Sequence, residues 1–200
     1  MNKTFKYAVV QTLPVFFGYL FLGAGFGIMF QQIGYNAFWA FVCAVLIYAG
    51  SGQYLLVGLL ASNAGLSTIA YLTFLVNSRH IFYGLTFIEK FRAFGKSAFL
   101  NIFTLTDETY SVLCSMKTPP EVNEKMAMTL IGLLDHVYWA FGCTLGAVLG
   151  DALPIDFTGI DFSMTALFVV IFLDQWKGFR SHLPADNDRK AVRQIPERGK

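Results

Sequence analysis

The sequence predicts an all-α membrane protein, a polytopic helical bundle of about six membrane segments, some of them broken or re-entrant. The residues from Tyr7 to Ser78 include no Asp, Glu, Lys, Arg or His. Helices and sheets of soluble domains need a polar face toward water. So long a run therefore belongs in a bilayer, which about 20 apolar residues cross as a helix. The composition agrees, because 55% of the residues are hydrophobic and only 14% are charged.

The first two predicted spans cover residues 8–30 and 37–60. Pro14 lies early in the first span, where a missing backbone donor costs least. The glycines of this span leave room for a closely packed helix, and they are Gly18, Gly23, Gly25 and Gly27. The second span is interrupted by Tyr48-Ala-Gly-Ser-Gly-Gln53, in which Gly50, Ser51, Gly52 and Gln53 are expected to loosen the backbone. A break at membrane depth persists only where it is buried in protein or lines a wet cavity.

The next two predicted segments, residues 66–88 and 97–116, contain charged residues. The first of them is predicted as one helix that carries the sequence Asn77-Ser-Arg-His80. The second holds Thr104-Leu-Thr-Asp-Glu-Thr109 in its middle. Polar residues at that depth predict either a broken span or a re-entrant hairpin.

A fifth span over residues 127–149 and a last span over residues 162–173 complete the membrane domain. Small residues four apart on one helix form a packing face, and in the fifth span these are Gly142, Gly146 and Gly150. The glycine faces of the first and fifth spans are more packing surface than one small bundle is expected to fill. We therefore expect a second, obligatory chain to cover them.

The chain divides into a membrane transport domain, residues 1–180, and a hydrophilic basic tail, residues 181–200, which is expected to be disordered. Basic tails of membrane proteins are cytoplasmic by default, so the tail does not predict nucleic-acid binding. The path of segments two to four stays open. If every segment spans, Lys90, Arg92 and Lys96 fall outside, against the charge bias, whereas a re-entrant second or third segment places them inside.

Candidate functional residues begin with a polar stripe in the third segment. Thr73, Asn77, His80 and Gly84 share one helical face, and Arg79 is offset from it. A cation inside a span should face a partner helix or a cavity. In the functional interpretation Arg79 binds a carboxylate of substrate or protein, and His80 donates or relays a proton. In the alternative, both side chains lie near the interface and extend toward water.

Three carboxylates complete the candidate set. Asp107 and Glu108 lie among apolar neighbours, so at least one should be protonated or paired with Arg79 or His80. A purely structural ion pair is the alternative. Asp135 lies on the glycine face of the fifth span and should point into the bundle, unless it is interfacial. No local ligand spacing favours a metal, and no cofactor is predicted.

Three stretches together resemble the AzlC/YgaZ family, the large subunit of branched-chain amino acid exporters. They are Tyr48-Ala-Gly-Ser-Gly-Gln53, Phe74-Leu-Val-Asn-Ser-Arg-His-Ile-Phe-Tyr-Gly84 and Thr106-Asp-Glu-Thr-Tyr110. The resemblance runs over residues 14–184 and includes Asp135-His-Val-Tyr-Trp139. It implies a multi-pass protein of the bacterial inner membrane that exports valine-like amino acids with the proton-motive force. It also implies a small AzlD/YgaH-type membrane subunit as partner.

One departure from the family concerns the end of the chain. In the family a His-x-Pro sequence such as His182-Leu-Pro184 leads into further hydrophobic sequence, whereas here a hydrophilic stretch follows. The sequence thus predicts a missing final membrane segment. A non-transporting scaffold subunit is therefore the second functional hypothesis, and an intramembrane enzyme that uses His80 with Asp107 or Glu108 is the third. The leading hypothesis predicts that Arg79 and one of these carboxylates form a salt bridge near the Gly50–Gln53 break.

Overall fold

The computed structural model describes residues 3–152, together with Phe162 and Val169. The described helices lie in one compact unit, Met1–Asp161. They are α1 (Lys3–Gln32), α2 (Ala37–Leu46), α3 (Gly50–Ala61), α4 (Leu66–Asn77), α5 (Arg79–Arg92), α6 (Ser97–Phe103), α7 (Asp107–Ser115) and α8 (Glu124–Ala152). Within these residues the fold is all-α, as predicted. The predicted last span and the tail lie outside the described residues, except for Phe162 and Val169.

Helices α1 and α8 form the centre of the bundle, and each is long and apolar enough to cross a membrane. They pack backbone to backbone through their glycines. A Cβ on Gly23 would lie 2.9 Å from the backbone nitrogen of Cys143, and one on Gly142 would lie 2.5 Å from the carbonyl oxygen of Tyr19. These glycines therefore pack α1 on α8 within this chain, whereas a Cβ on Gly18 of the predicted set would have nothing within 4 Å. The packed glycines do not require the second chain that was expected to cover them, and that chain stays a prediction.

The predicted break of the second span separates α2 from α3. Tyr48 has a φ of 44°, and the helix resumes at Gly50. The buried side chain of Gln53 holds this break together, since its Oε1 accepts from the backbone N–H of Ala49 at 3.3 Å and from Trp139 Nε1 at 2.8 Å. An apolar environment offers no water to a freed backbone donor, so this side chain stabilises the irregular backbone and ties it to α8.

The predicted break of the fourth segment separates α6 from α7. Thr106 caps α7, because its side chain accepts from the backbone N–H of Thr109 at 3.3 Å. Thr104 turns its hydroxyl back to the carbonyl oxygen of Leu100 at 2.9 Å. The Thr106 hydroxyl satisfies a backbone donor at the start of α7, whereas the Thr104 hydroxyl adds a second bond to a carbonyl that already accepts the Thr104 backbone N–H. The break predicted from Thr104 to Thr109 is confirmed.

The third segment is not the single helix that the sequence predicts over residues 66–88. Helix α4 ends at Asn77 and α5 begins at Arg79. Ser78 between them keeps helical backbone angles, with φ −56° and ψ −26°, and donates its hydroxyl to the carbonyl oxygen of Leu75 at 2.7 Å. A serine that bonds to the preceding turn competes with the helical hydrogen bonds. Helix α5 also continues to Arg92, beyond the predicted end.

Candidate functional site

Arg79, the first residue of α5, connects the two broken segments. Its Nη2 lies 2.9 Å from Oδ2 of Asp107, and it also donates to the hydroxyl of Ser51. Ser51 is in the first turn of α3, and Asp107 is the first residue of α7. One guanidinium group therefore ties together the N-termini of two half-helices.

The ion pair is partly exposed. The side chains of Arg79 and Asp107 are 29% and 17% exposed, so neither is sealed in the core. The Oδ1 atom of Asp107 is buried and makes no hydrogen bond of standard geometry within the described residues, and the hydroxyl of Tyr83 lies close to this carboxylate. The expected salt bridge is confirmed, and its carboxylate is Asp107. Its role in transport stays a prediction.

A cavity of about 320 Å³ borders all three helix discontinuities. It is lined by Ile47, Tyr48, Ala49, Asn77, His80, Gly84, Ile102, Phe103 and Leu105. Apolar side chains with a few polar groups are typical of ligand sites. The two polar residues Asn77 and His80 flank Arg79 closely in sequence. The buried Oδ1 of Asn77 has no hydrogen-bond partner in the described part of the chain, so it is available to a ligand.

The remaining residues of the α3 and α5 ends shape this cavity. A Cβ on Gly52 would lie 2.9 Å from Nδ2 of Asn77, so glycine allows α3 to approach the end of α4. Gly50 begins α3 next to the cavity residue Ala49. His80 places its Nδ1 3.0 Å from the backbone carbonyl oxygen of Asn77. Of the predicted polar stripe, Asn77, His80 and Gly84 line the cavity, whereas Thr73 lines a different groove along α4.

A second polar cluster lies between α1, α7 and α8. Glu108 does not pair with Arg79, because its Oε2 accepts the hydroxyl of Tyr19 at 2.8 Å. Asp135 is fully buried, as predicted from the glycine face, and its Oδ2 accepts the hydroxyl of Thr109 at 2.8 Å. The adjacent carboxylates Asp107 and Glu108 therefore enter two separate interaction networks.

Sequence reasoning missed three members of this cluster, Tyr19, Thr106 and Thr109, as functional candidates. Uncharged hydroxyl residues are common in membrane helices, so their presence alone carries little signal. Thr106 offered a local clue, because a threonine before two acidic residues is typical of a helix N-cap. The alignment of Tyr19 with this N-cap depends on the packing of α1 and has no local signature.

An apolar bundle with helix breaks, an ion pair and carboxylates among its helices is an all-α membrane protein. A family model described as AzlC protein matches residues 14–153. The chain is 35% identical over 191 residues to the branched-chain amino acid transport protein AzlC of Bacillus subtilis, with 92% of this chain and 75% of that protein covered. The chain belongs to the AzlC family and is a membrane transport protein.

Other relatives carry names of different precision. An uncharacterized membrane protein of Haemophilus influenzae is 36% identical over 182 residues, which covers 90% of this chain and 73% of the relative. The inner membrane protein YgaZ of Escherichia coli is 25% identical over 180 residues, with 86% and 73% covered. No solved structure matches the chain.

Proposed function

We propose that the protein exports a branched-chain amino acid, valine or a close analogue, across the bacterial inner membrane, driven by the proton-motive force. The observation that carries the proposal is the position of Arg79, which links two half-helices beside a small cavity. Discontinuous helices surround substrates in many transporters, and their N-termini favour anionic groups. The name of the Bacillus subtilis relative supports the substrate class.

The ion pair supplies complementary charges for a zwitterion. The substrate carboxylate replaces Asp107 on the guanidinium of Arg79, and the substrate ammonium group binds Asp107. Its Oδ1, which makes no hydrogen bond of standard geometry within the described residues, is one acceptor for that group. An exchange of this kind keeps every charge paired, which matters because an unpaired charge in a membrane interior is costly.

The cavity accounts for the size and polarity of the substrate. Its volume of about 320 Å³ is at the lower end of the range of ligand sites, about 300–1,000 Å³. Ile47, Ile102, Phe103 and Leu105 provide an apolar surface for an aliphatic side chain. The small branched side chain of an aliphatic substrate fits against this apolar surface and adds no polar group that would need a partner.

Substrate binding at Arg79 also provides a reason for movement. In the structure Arg79 ties α3 to α7 through Ser51 and Asp107. A substrate carboxylate that binds the guanidinium of Arg79 in place of Asp107 weakens this link, so the half-helices become free to move apart. Differential interaction with two arrangements is what a ligand needs in order to shift a conformational equilibrium.

We also propose that the protein crosses the membrane several times and works with a small AzlD/YgaH-type membrane subunit. The packed glycines of α1 and α8 give no support for this partner, since they contact each other. The partner therefore rests on the family resemblance. A non-transporting scaffold role is the alternative, and it predicts that the partner alone exports as well as the pair does.

The proposal is tested by export from cells that express this chain with its partner. After loading with a valine dipeptide, intracellular valine should fall in cells with the wild-type chain. Arg79→Ala should abolish export, because it removes the carboxylate site. Lys90→Ala is the matched control, since Lys90 forms an exposed ion pair with Glu124 at 2.6 Å, and exposed pairs contribute about 0–1 kcal/mol.

Two results would contradict the proposal. Export by Arg79→Ala at the wild-type rate, with equal amounts of protein in the membrane, would exclude Arg79 from the site. Equal export by the partner alone would favour the scaffold role.

A further inference from the structure

Glu108 and Asp135 are the two ends of one hydrogen-bonded chain. The hydroxyls of Tyr19, Thr106 and Thr109, called here the hydroxyl chain, lie between them. The four oxygen–oxygen distances, in order from Glu108 to Asp135, are 2.8, 2.7, 3.2 and 2.8 Å. Every member of the hydroxyl chain is buried, and so is Asp135, whereas Glu108 is partly exposed.

Counting hydrogens shows that this chain is incomplete when both carboxyls are ionised. Three hydroxyl hydrogens fill the three contacts of 2.7–2.8 Å, from Tyr19 to Glu108, from Thr106 to Tyr19 and from Thr109 to Asp135. The fourth contact, 3.2 Å between Thr106 and Thr109, is longer than an ordinary O–H···O bond and is then left without a hydrogen. The backbone N–H of Thr109 does not fill the gap, since it already donates to Thr106. One proton on either carboxyl completes all four contacts.

Charge leads to the same conclusion. Within the described residues neither Glu108 nor Asp135 has a salt bridge, and Arg79 is paired with Asp107. Asp107 precedes Glu108 in α7, so its negative charge opposes a second one. Ionisation of both the buried Asp135 and the half-buried Glu108 without a cation costs considerable free energy, and one added proton halves that charge.

The other titratable groups around the cluster do not supply this proton in the arrangement seen. Tyr48, from the α2–α3 connection, lies close to both carboxyls and beside the hydroxyls of Tyr19 and Thr109. Its own hydroxyl makes no hydrogen bond of standard geometry within the described residues. His136 on α8 packs on the ring of Tyr48 with the ring centroids 4.3 Å apart. Neither group occupies one of the four contacts.

We propose that Glu108 and Asp135 share one bound proton through the hydroxyl chain and form the proton-binding site of this protein. With the proton on Glu108, each hydroxyl donates toward Asp135. Transfer breaks the O–H bond of Glu108, passes each hydroxyl hydrogen on by one oxygen and forms an O–H bond on Asp135. The reverse direction uses the same contacts, so the proton number and the total charge do not change.

The position of the pair suggests how it takes part in transport. Glu108 is partly exposed and adjoins Asp107, whereas Asp135 is sealed in the α1–α8 core. The proton therefore enters at Glu108 and is stored at Asp135. The use of this proton in export rests on the proposed function, whereas the presence of the proton does not. Different measurements test the presence of the proton and the proposed function.

Infrared spectroscopy tests the shared proton directly, without a transport assay. The full-length protein is purified in an alkyl maltoside, which has no ester carbonyl to obscure the carbonyl stretch of a protonated carboxyl group. At neutral pH the wild-type protein should show this band with the intensity of one group. Glu108→Gln and Asp135→Asn should each remove it, because the new amide donates the missing hydrogen. Glu121→Gln is the control and should retain the band, since Glu121 forms an exposed ion pair with Lys3 at 3.3 Å.

Two results would overturn the proposal. Absence of the band from the wild-type protein at neutral pH would mean that the carboxyls hold no proton, and this measurement needs no variant to fold. A band that is lost in Glu108→Gln but is unchanged in folded Asp135→Asn would show a proton that belongs to Glu108 alone. Thermal unfolding of each variant confirms that it is folded.

Discussion

Arg79 and the hydroxyl of Tyr19 have different roles in this account, although both contact the first turn of α7. Arg79 pairs with Asp107 and faces the substrate, whereas Tyr19 bonds to Glu108 and relays a proton. The separation arises because neighbouring residues on a helix point about 100° apart. Two adjacent acidic side chains can therefore bind different ligands from the same turn.

Removal of the Tyr19 hydroxyl should uncouple transport from protons. Tyr19→Phe interrupts the hydroxyl chain but leaves Arg79 and the cavity intact. In liposomes with the partner subunit, valine exchange should persist, whereas accumulation driven by a pH gradient should fall at least about tenfold. Tyr54→Phe is the matched control, because Tyr54 is buried and donates its hydroxyl hydrogen to the carbonyl oxygen of Leu22 at 2.6 Å. Equal loss of both activities in Tyr19→Phe would refute the relay.

The sequence was informative about which residues matter and less informative about their pairing. The absence of charge from Tyr7 to Ser78 made Arg79 conspicuous, and the cost of an unpaired cation predicted a carboxylate partner. Whether Asp107 or Glu108 fills that role depends on how α7 is rotated against α5. That rotation follows from tertiary packing, which leaves no local pattern in the sequence.

The helix breaks are stabilised by individual side chains. Gln53 satisfies the backbone donor of Ala49 and the indole of Trp139 at once. Thr106 serves the α6–α7 break in the same way, since it accepts the backbone N–H of Thr109. Glycine and polar residues at mid-span predicted both of these breaks. The break at Ser78 was missed because one serine in an apolar helix is a weak signal, and its effect depends on the hydroxyl turning to Leu75.

Substitution of Gln53 should destabilise the α2–α3 break. Gln53→Ala leaves two buried donors without their acceptor, and each costs about 1–3 kcal/mol. Thermal unfolding in detergent should therefore show a clearly lower midpoint than for the wild-type chain. Gln31→Ala is the control, since Gln31 donates to Asp151 at 3.4 Å in an exposed position. An unchanged midpoint in Gln53→Ala would show that water or another group replaces the amide.

Close packing of α1 on α8 sets the shape of the bundle and can be tested within one helix. A Cβ on Gly27 would collide with the backbone of Cys143 and Ala147, whereas one on Gly18 has nothing within 4 Å. Gly27→Ala should lower the free energy of unfolding by about 1–3 kcal/mol through overpacking. Gly18→Ala should raise it by up to about 1 kcal/mol, as in any helix interior. Equal midpoints for the two variants in thermal unfolding would contradict the packing.

At the scale of the whole molecule, composition predicted an all-α membrane protein, and the described residues and the family relatives agree. Large apolar side chains such as Phe17, Phe21 and Phe74 are more than half exposed, as expected on a surface that faces lipid. The glycine faces were also predicted, but their partner was not. A small-residue stripe shows that something packs closely, whereas only the fold shows that the partner is α8 of the same chain.

The central claim is that Arg79 and Asp107 bind the carboxylate and the ammonium group of a zwitterionic substrate. Competition by ligand analogues tests this claim most directly. Binding of labelled valine to the purified full-length chain is competed with valinamide, which lacks the carboxylate, and isovalerate, which lacks the amine. In the wild-type chain valine should compete at least about tenfold better than either analogue, as expected for charged hydrogen bonds of about 1.5–3 kcal/mol. In Asp107→Asn isovalerate should compete as well as valine, while valinamide stays weak. The claim would be contradicted if valinamide competed as well as valine in the wild-type chain. It would also be contradicted if isovalerate competed equally weakly in the wild-type chain and in Asp107→Asn.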